Sequence, residues 1–159
     1  MNAVTGIGPR TGTSWVMGKL KEAGLQVNGH KFLPELLVPQ HNPNGYWELD
    51  PDEPMPTTGI SKLWGIWHNT DVDKVVVLER ADTAAQLRSM DKVLKDELLL
   101  PRCKEQWQDH WTSKAVLSQY IIAMNNWLST RDLDKTMLVY TENLHNEIDN
   151  IIKFLQEDK

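Results

Sequence analysis

The residues best suited to chemistry stand near the start of the chain. Gly8-Pro9-Arg10-Thr11-Gly12-Thr13-Ser14-Trp15 follows the short apolar run Ala3–Ile7 and precedes a helical pattern. A loop between a strand and a helix N-terminus points successive backbone amides at one spot. The positive end of the helix dipole adds to them, and the combination binds anions. Gly12 lets the backbone approach a ligand, Thr13 and Ser14 add hydroxyls in the first turn, and Arg10 adds a positive fork. The segment is not a Walker A loop. That motif needs Gly-Lys-Ser/Thr with its lysine on the terminal phosphates, whereas here Thr13 follows Gly12 and the cation precedes the glycine.

The elements that must position this loop follow from hydrophobic spacing. Ala3–Ile7 reads as a buried strand, and Thr13–Ala23 as a helix with Val16, Met17 and Leu20 on one face and Gly24 as its stop. Leu25–Val27 is a short second strand. Residues 28–60 carry Pro34, Pro39, Pro43, Pro51, Pro54 and Pro56 and read as irregular yet ordered, because Phe32, Leu33, Leu36, Leu37, Tyr46 and Trp47 need burial. Lys74–Leu78, with its continuous apolar run, reads as the centre of a parallel sheet. Asp82 or Thr83 caps a helix to about Asp96 with Ala84, Leu87, Val93 and Leu94 inward. Residues 98–110 form a loop around Pro101. Thr112 caps a helix to about Ser129, whose apolar positions are Val116, Leu117, Tyr120, Ile121, Met124 and Leu128. Met137–Tyr140 is a last strand. A last helix, Glu142–Gln156, repeats Leu144, Ile148, Ile151, Ile152 and Leu155. Strands alternating with helices predict one α/β domain over residues 1–159, three-layered and doubly wound around a mainly parallel sheet. In such sheets ligands sit at the carboxyl ends of the strands, which gathers Gly8–Trp15, Arg80 and the loop after Tyr140 at one rim.

Composition excludes several classes. The 159 residues suffice for one domain, and 40% hydrophobic with 25% charged residues is ordinary globular usage rather than a disordered or fibrous one. The net charge of −5 lacks the basic footprint of a protein that binds a nucleic-acid polymer. Cys103 is the single cysteine, so neither an internal disulfide nor a Cys-based metal site is expected, and His68, His110 and His145 show no metal-ligand spacing. With no apolar run near the roughly 20 residues that span a bilayer and no basic, apolar leader, no membrane is expected and the compartment reads as cytoplasmic. The seven Trp residues read mainly as packing, with Trp107 and Trp111 as candidates to line a pocket.

Pro9-Arg10-Thr11-Gly12-Thr13-Ser14-Trp15 resembles the 5′-phosphosulfate loop of the sulfotransferases, Pro-Lys/Arg-Ser-Gly-Thr-Thr/Ser with an apolar or Trp residue next. Asn42-Pro43-Asn44-Gly45-Tyr46-Trp47-Glu48 is similar to the Asn-Pro-x-Gly-Tyr/Phe-Trp/Phe-Glu stretch of bacterial-type members. Val75–Arg80, followed by a helix with Ser89, resembles the family's 3′-phosphate motif. Val139-Tyr140-Thr141-Glu142-Asn143-Leu144 resembles its Tyr-Glu-Asp-Leu segment. The resemblance covers nearly the whole chain, and the first loop is its most specific part. It implies the P-loop nucleotide-hydrolase-like fold of that family. It also implies transfer of a sulfuryl group from 3′-phosphoadenosine 5′-phosphosulfate, without a metal, to a hydroxyl or amine of a small-molecule or glycan acceptor, leaving 3′-phosphoadenosine 5′-phosphate.

On this resemblance Thr11, Gly12, Thr13 and Ser14 would hold the 5′-phosphosulfate, Trp15 would stack on the adenine, and Arg10 would lie beside the bridging oxygen. Sulfuryl transfer, like phosphoryl transfer, has a loose transition state, so catalysis rests on positioning and charge stabilisation. Arginine keeps its proton, so Arg10 would act electrostatically. Arg80 and Ser89 would grip the 3′-phosphate, with Arg88 as a further cation. Where the family reads Arg-Asp-Pro this chain reads Arg80-Ala81-Asp82-Thr83, and Ser89 stands one residue further on. Many members add a basic loop after the last helix. This chain ends at Lys159 without one, which leaves room for a homo-oligomer whose neighbouring subunit helps.

An alcohol acceptor needs a general base, and the candidates are His30, Glu35, His41 and Glu48. His30 comes first, because an ordinary imidazole titrates near 6.5, and Glu48 second. Lys62 is a further cation for the sulfate, and residues 28–60 and 97–112 make the acceptor side. Two rivals stand beside this reading: a small-molecule or nucleotide kinase with a degenerate phosphate loop, and a nucleotide-binding module without turnover.

Overall fold

The computed structural model describes residues 1–31, 42–50, 52–63, 72–97 and 112–156. Its strands are β1 (Asn2–Gly6), β2 (Ile60–Lys62), β3 (Val75–Glu79) and β4 (Thr136–Tyr140). Its helices are α1 (Thr13–Glu22), α2 (Thr83–Glu97), α3 (Ser113–Leu128) and α4 (Leu144–Gln156). The four strands form one sheet in the order β2-β1-β3-β4, with every pair parallel. Val75, Val76, Val77 and Leu78 are fully buried, as an interior parallel strand requires. Burying each such side chain contributes about 1.5–3 kcal/mol relative to leaving it in water.

Alternation along the strands sends Val4, Val76, Leu78 and Val139 to one face. There they pack with Val16, Met17 and Leu20 of α1 and with Leu144, Ile151 and Leu155 of α4. Ala3, Val75 and Val77 face the other way and meet Met124, Trp127 and Leu128 of α3. α2 joins α3 on that second face through Met90, Leu87, Val116, Leu117 and Tyr120. Helices therefore cover both faces of an all-parallel sheet, which is the expected three-layer α/β arrangement.

Some boundaries differ from the spacing. Val27 makes only a single parallel bridge to Ile60, so the second strand is Ile60–Lys62 rather than Leu25–Val27. The pairing stops there because Gly29 turns the chain away at φ 87° and the Asn28 side chain bonds Thr58 and Ser61 across the turn. Ala84 is exposed, and Gln86 occupies the buried face of α2 in its place, four residues before Met90. Ile121 is exposed too, since α3 turns Val116, Leu117 and Met124 inward. The last helix opens with a 3-10 turn, Thr141–Asn143. Phe32, Leu33, Leu36 and Leu37 lie outside the described residues, as does Leu94 as a side chain. Among the described residues no helix is long and apolar enough to cross a membrane.

Candidate anion-binding site

The carboxyl ends of β1, β2 and β3 carry the site. After Gly6 the chain leaves the sheet, with the Ile7 amide still on the Leu78 carbonyl at 2.8 Å. Gly8, Arg10 and Gly12 then take φ values of 82°, 65° and 94°. A left-handed arginine is uncommon and costs energy unless its surroundings hold it. Here they do. Gln86 Nε2 donates to the carbonyls of Ile7 (3.0 Å) and Pro9 (2.9 Å). Arg80 Nη1 donates to the Arg10 carbonyl (3.2 Å), and Thr141 Oγ1 to the Thr11 carbonyl (2.7 Å).

Four carbonyls of the loop are thus drawn outward by side chains from α2, the end of β3 and the turn after β4. In a trans peptide the N–H points opposite to the C=O, so the amides of Arg10, Thr11 and Gly12 are turned the other way. Among the described residues no carbonyl pairs with the amides of Thr11, Gly12, Thr13 or Ser14. Gly12 is the N-cap of α1, and a Cβ there would come within 2.9 Å of Leu144 Cδ1. At Gly8 a Cβ would lie 2.5 Å from Leu117 Cδ1. Both positions favour glycine through their positive φ, and a Cβ at either would also force a leucine methyl to move.

The candidate side chains meet around this loop. Arg10 Nε donates to Ser89 Oγ at 3.0 Å, so Arg80 holds the Arg10 backbone while Ser89 holds its guanidinium. Ser14 is buried, and its Oγ accepts from Asn42 Nδ2 (3.1 Å) and Lys62 Nζ (3.3 Å). Lys62, at the end of β2, is buried as well. Its three N–H groups reach Ser14 Oγ, the Tyr46 carbonyl and Glu48 Oε1, the last at 2.8 Å. Burial pushes the Lys62 ammonium below 10.5, the Glu48 carboxylate opposes that fall, and the Arg10 charge adds to it. Tyr120 on α3 is held above 10.0, first by burial and then by the Glu48 charge, so phenol and carboxylate feel one another across the site.

The base candidates separate. The His30 amide donates to the Glu48 carbonyl at 3.0 Å, and the two residues form an antiparallel bridge. The link is through backbone, and the His30 residue is exposed, whereas the Glu48 carboxylate sits on Lys62. The 42–48 segment is fastened by its own bonds, Gly45 N to Asn42 O (2.9 Å) and Trp47 Nε1 to Asn44 O (2.8 Å), with Trp47 buried. Trp15 is half-buried. The His145 ring meets it edge-on at 5.0 Å and Lys19 Nζ lies 5.7 Å from its ring. Arg88 is exposed, and Glu35, His41, Trp107 and Trp111 lie outside the described residues. Among the described residues no three His, Cys, Asp or Glu side chains are grouped to hold a metal ion.

Sequence reasoning assigned no role to Gln86, Thr141, Asn42 or Tyr120. One signal was present for Gln86: a polar residue inside an apolar helix face has to find partners when buried. The turn that holds Thr141 was expected at this rim, but its hydroxyl bond to the Thr11 carbonyl comes from packing, and Tyr120 had a signal only as an apolar position of α3. At the α2 N-terminus Asp82 caps the helix as expected, its Oδ1 accepting the Ala85 amide at 2.9 Å, and Glu142 adds to the cap by accepting the amides of Ala81 and Asp82, each at 3.1 Å. Compared with known protein families, curated proteins and solved structures, the chain finds no match.

Proposed function

We propose that the protein is a sulfotransferase that takes a sulfuryl group from 3′-phosphoadenosine 5′-phosphosulfate to a hydroxyl or amine acceptor. One observation carries this reading. A loop of inward amides at a helix N-terminus is bordered by Arg10 and by buried Lys62 paired with half-buried Glu48. On this reading, anion binding, charge stabilisation and proton acceptance would share one rim of the sheet.

The nucleotide, when bound, supplies the sulfuryl group and the leaving phosphate. The amides of Thr11–Ser14 and the Ser14 hydroxyl would hold its 5′ oxygens, and Trp15 would offer its ring to the base. Arg10, steadied by Ser89 and fixed in position by Arg80, would neutralise charge that grows on the leaving oxygen. Arg80 and Ser89 would hold the 3′-phosphate. Glu48 is the better proton acceptor for an incoming hydroxyl, because its carboxylate borders the loop while His30 contributes backbone. Lys62 keeps that carboxylate oriented, and residues 42–48 form part of the acceptor side.

Calorimetry decides the ligand class. Binding of 3′-phosphoadenosine 5′-phosphate in the presence of a chelator supports this reading, and metal-dependent binding of ATP in its place would replace it with the kinase reading. Nucleotide binding without transfer to any of a broad acceptor panel would reduce the protein to a binding module.

A further inference from the structure

We infer that Asn42 is a positioning residue that fixes the Ser14 hydroxyl as a donor to the bound anion. The inference rests on the reading of residues 8–15 as an anion loop and adds a residue to it. A serine oxygen has two lone pairs and one proton. Lys62 Nζ and Asn42 Nδ2 both point at Ser14 Oγ, from 3.3 and 3.1 Å. An ammonium and an amide NH2 can only donate, so both lone pairs are filled and the proton of Ser14 is left to donate away from them. Among the described residues it donates to no other group. Ser14 is 8% exposed, so bulk water does not readily take that proton. The residue stands in the first turn of α1 beside the amides of Gly12 and Thr13, which have no carbonyl partner among the described residues.

The amides of Thr11–Ser14 and the Ser14 hydroxyl then present donors to the loop's inner side, with the Arg10 guanidinium beside them. A donor-only seat matches an oxyanion that carries no proton, such as a sulfate group, and leaves the proton of a protonated phosphate without a partner. Asn42 also begins the segment that ends at Glu48, so the same side chain ties the acceptor side to the anion seat.

A double-mutant cycle tests this. Asn42→Asp, Ser14→Ala and the double variant are titrated by calorimetry with 3′-phosphoadenosine 5′-phosphate and, separately, with sodium sulfate, at pH 7.5. A carboxylate at position 42 accepts the Ser14 proton and turns the hydroxyl round. Asn42→Asp should therefore weaken binding about tenfold more in the native background than in the Ser14→Ala background. Equal losses in both backgrounds would mean that the new charge acts alone, and no loss in the native background would mean that Ser14 already donates to residue 42; either overturns the inference. Asn42→Ala repeats the cycle should Asn42→Asp fail to fold, with a two- to threefold loss that must vanish in Ser14→Ala. A cycle that holds with sulfate while the nucleotide does not bind keeps the inference and removes the nucleotide reading. Absence of both ligands from the native protein overturns both.

Discussion

Two helix N-termini meet at the same rim, and only one is open. At α1 the preceding carbonyls of Ile7, Pro9, Arg10 and Thr11 are held by Gln86, Arg80 and Thr141, and the amides of Thr11–Ser14 have no carbonyl partner among the described residues. At α2 the Glu142 carboxylate accepts the amides of Ala81 and Asp82, and Asp82 Oδ1 accepts the Ala85 amide at 2.9 Å. Dipole and dangling amides are common to every helix start. The difference is made by side chains, distant ones at α1 and, at α2, the helix's own Asp82 together with the distant Glu142. At α1 they take the carbonyls and leave the donors, while at α2 they take the donors.

The comparison also reassigns Arg80 at rest. Its Nη1 donates to the Arg10 carbonyl, so the residue expected to bind a second phosphate also shapes the primary loop, with its other donors left for that phosphate. Arg10→Ala is the strongest way to break the open end. It removes the contact to Ser89 and, on the proposed function, the charge beside the leaving oxygen, so sulfuryl transfer should fall about a hundred- to a thousandfold. The unfolding midpoint should hardly move, because the buried core does not include Arg10. Surviving turnover would mean that the open end is not where the chemistry happens.

Next in size is a loss of stability beside the same end. Glu48→Ala leaves the Lys62 ammonium buried with its carboxylate partner gone, which should cost about 3 kcal/mol in urea unfolding. Lys62→Met in the Glu48→Ala protein should restore most of it, since no buried charge then remains. Lys62 also has a pH signature. Its folded proton affinity is lowered below 10.5, so between that lowered value and 10.5 the unfolded chain binds more protons and stability gains from Lys62 as pH rises. The Lys62→Met, Glu48→Ala protein should lack this gain.

The open end was legible from sequence because it is local. Strand, breakers, arginine, hydroxyls and helix follow one another within Ala3–Trp15, and a short contiguous segment dictates its own turn. The side chains that shape it were not legible. Gln86 and Thr141 reach the loop across 79 and 130 residues; strand order brings the turn of Thr141 to this rim, but only the packing of α2 and β4 sets the two bonds. β2 was missed for a related reason. Ile60-Ser61-Lys62 has one apolar residue in three, too little pattern to announce a strand, and its burial comes from pairing with β1. Glu142 was recognisable as part of a motif, but its task at a helix 60 residues away was not.

A smaller effect separates base recognition from anion recognition at the open end. Trp15→Ala should weaken 3′-phosphoadenosine 5′-phosphate by about five- to tenfold, one stacked base's worth. Sulfate should bind as before, because the amides and Ser14 are untouched. Equal loss for both ligands would mean that the indole shapes the loop rather than contacting a base.

The closed end gives the smallest and most conditional signal. The amides of Asp82 and Ala81, with lesser help from the Arg80 charge, hold the Glu142 carboxyl below its ordinary 4.5. A group with a lowered folded value stabilises the fold above the unfolded value and loses that contribution as pH falls through the folded one. Glu142 therefore supports α2 at neutral pH and ceases to do so below pH 4.5. Glu142→Gln should lower the urea midpoint slightly at pH 7, leave it close to that of the native protein at the acid end, and flatten the slope between. Because the residue is exposed, the difference should shrink in high salt as well. If the variant instead loses the same amount at every pH, Glu142 closes the α2 amides through its shape alone. The contrast between the two helix starts would then be one of packing rather than of charge.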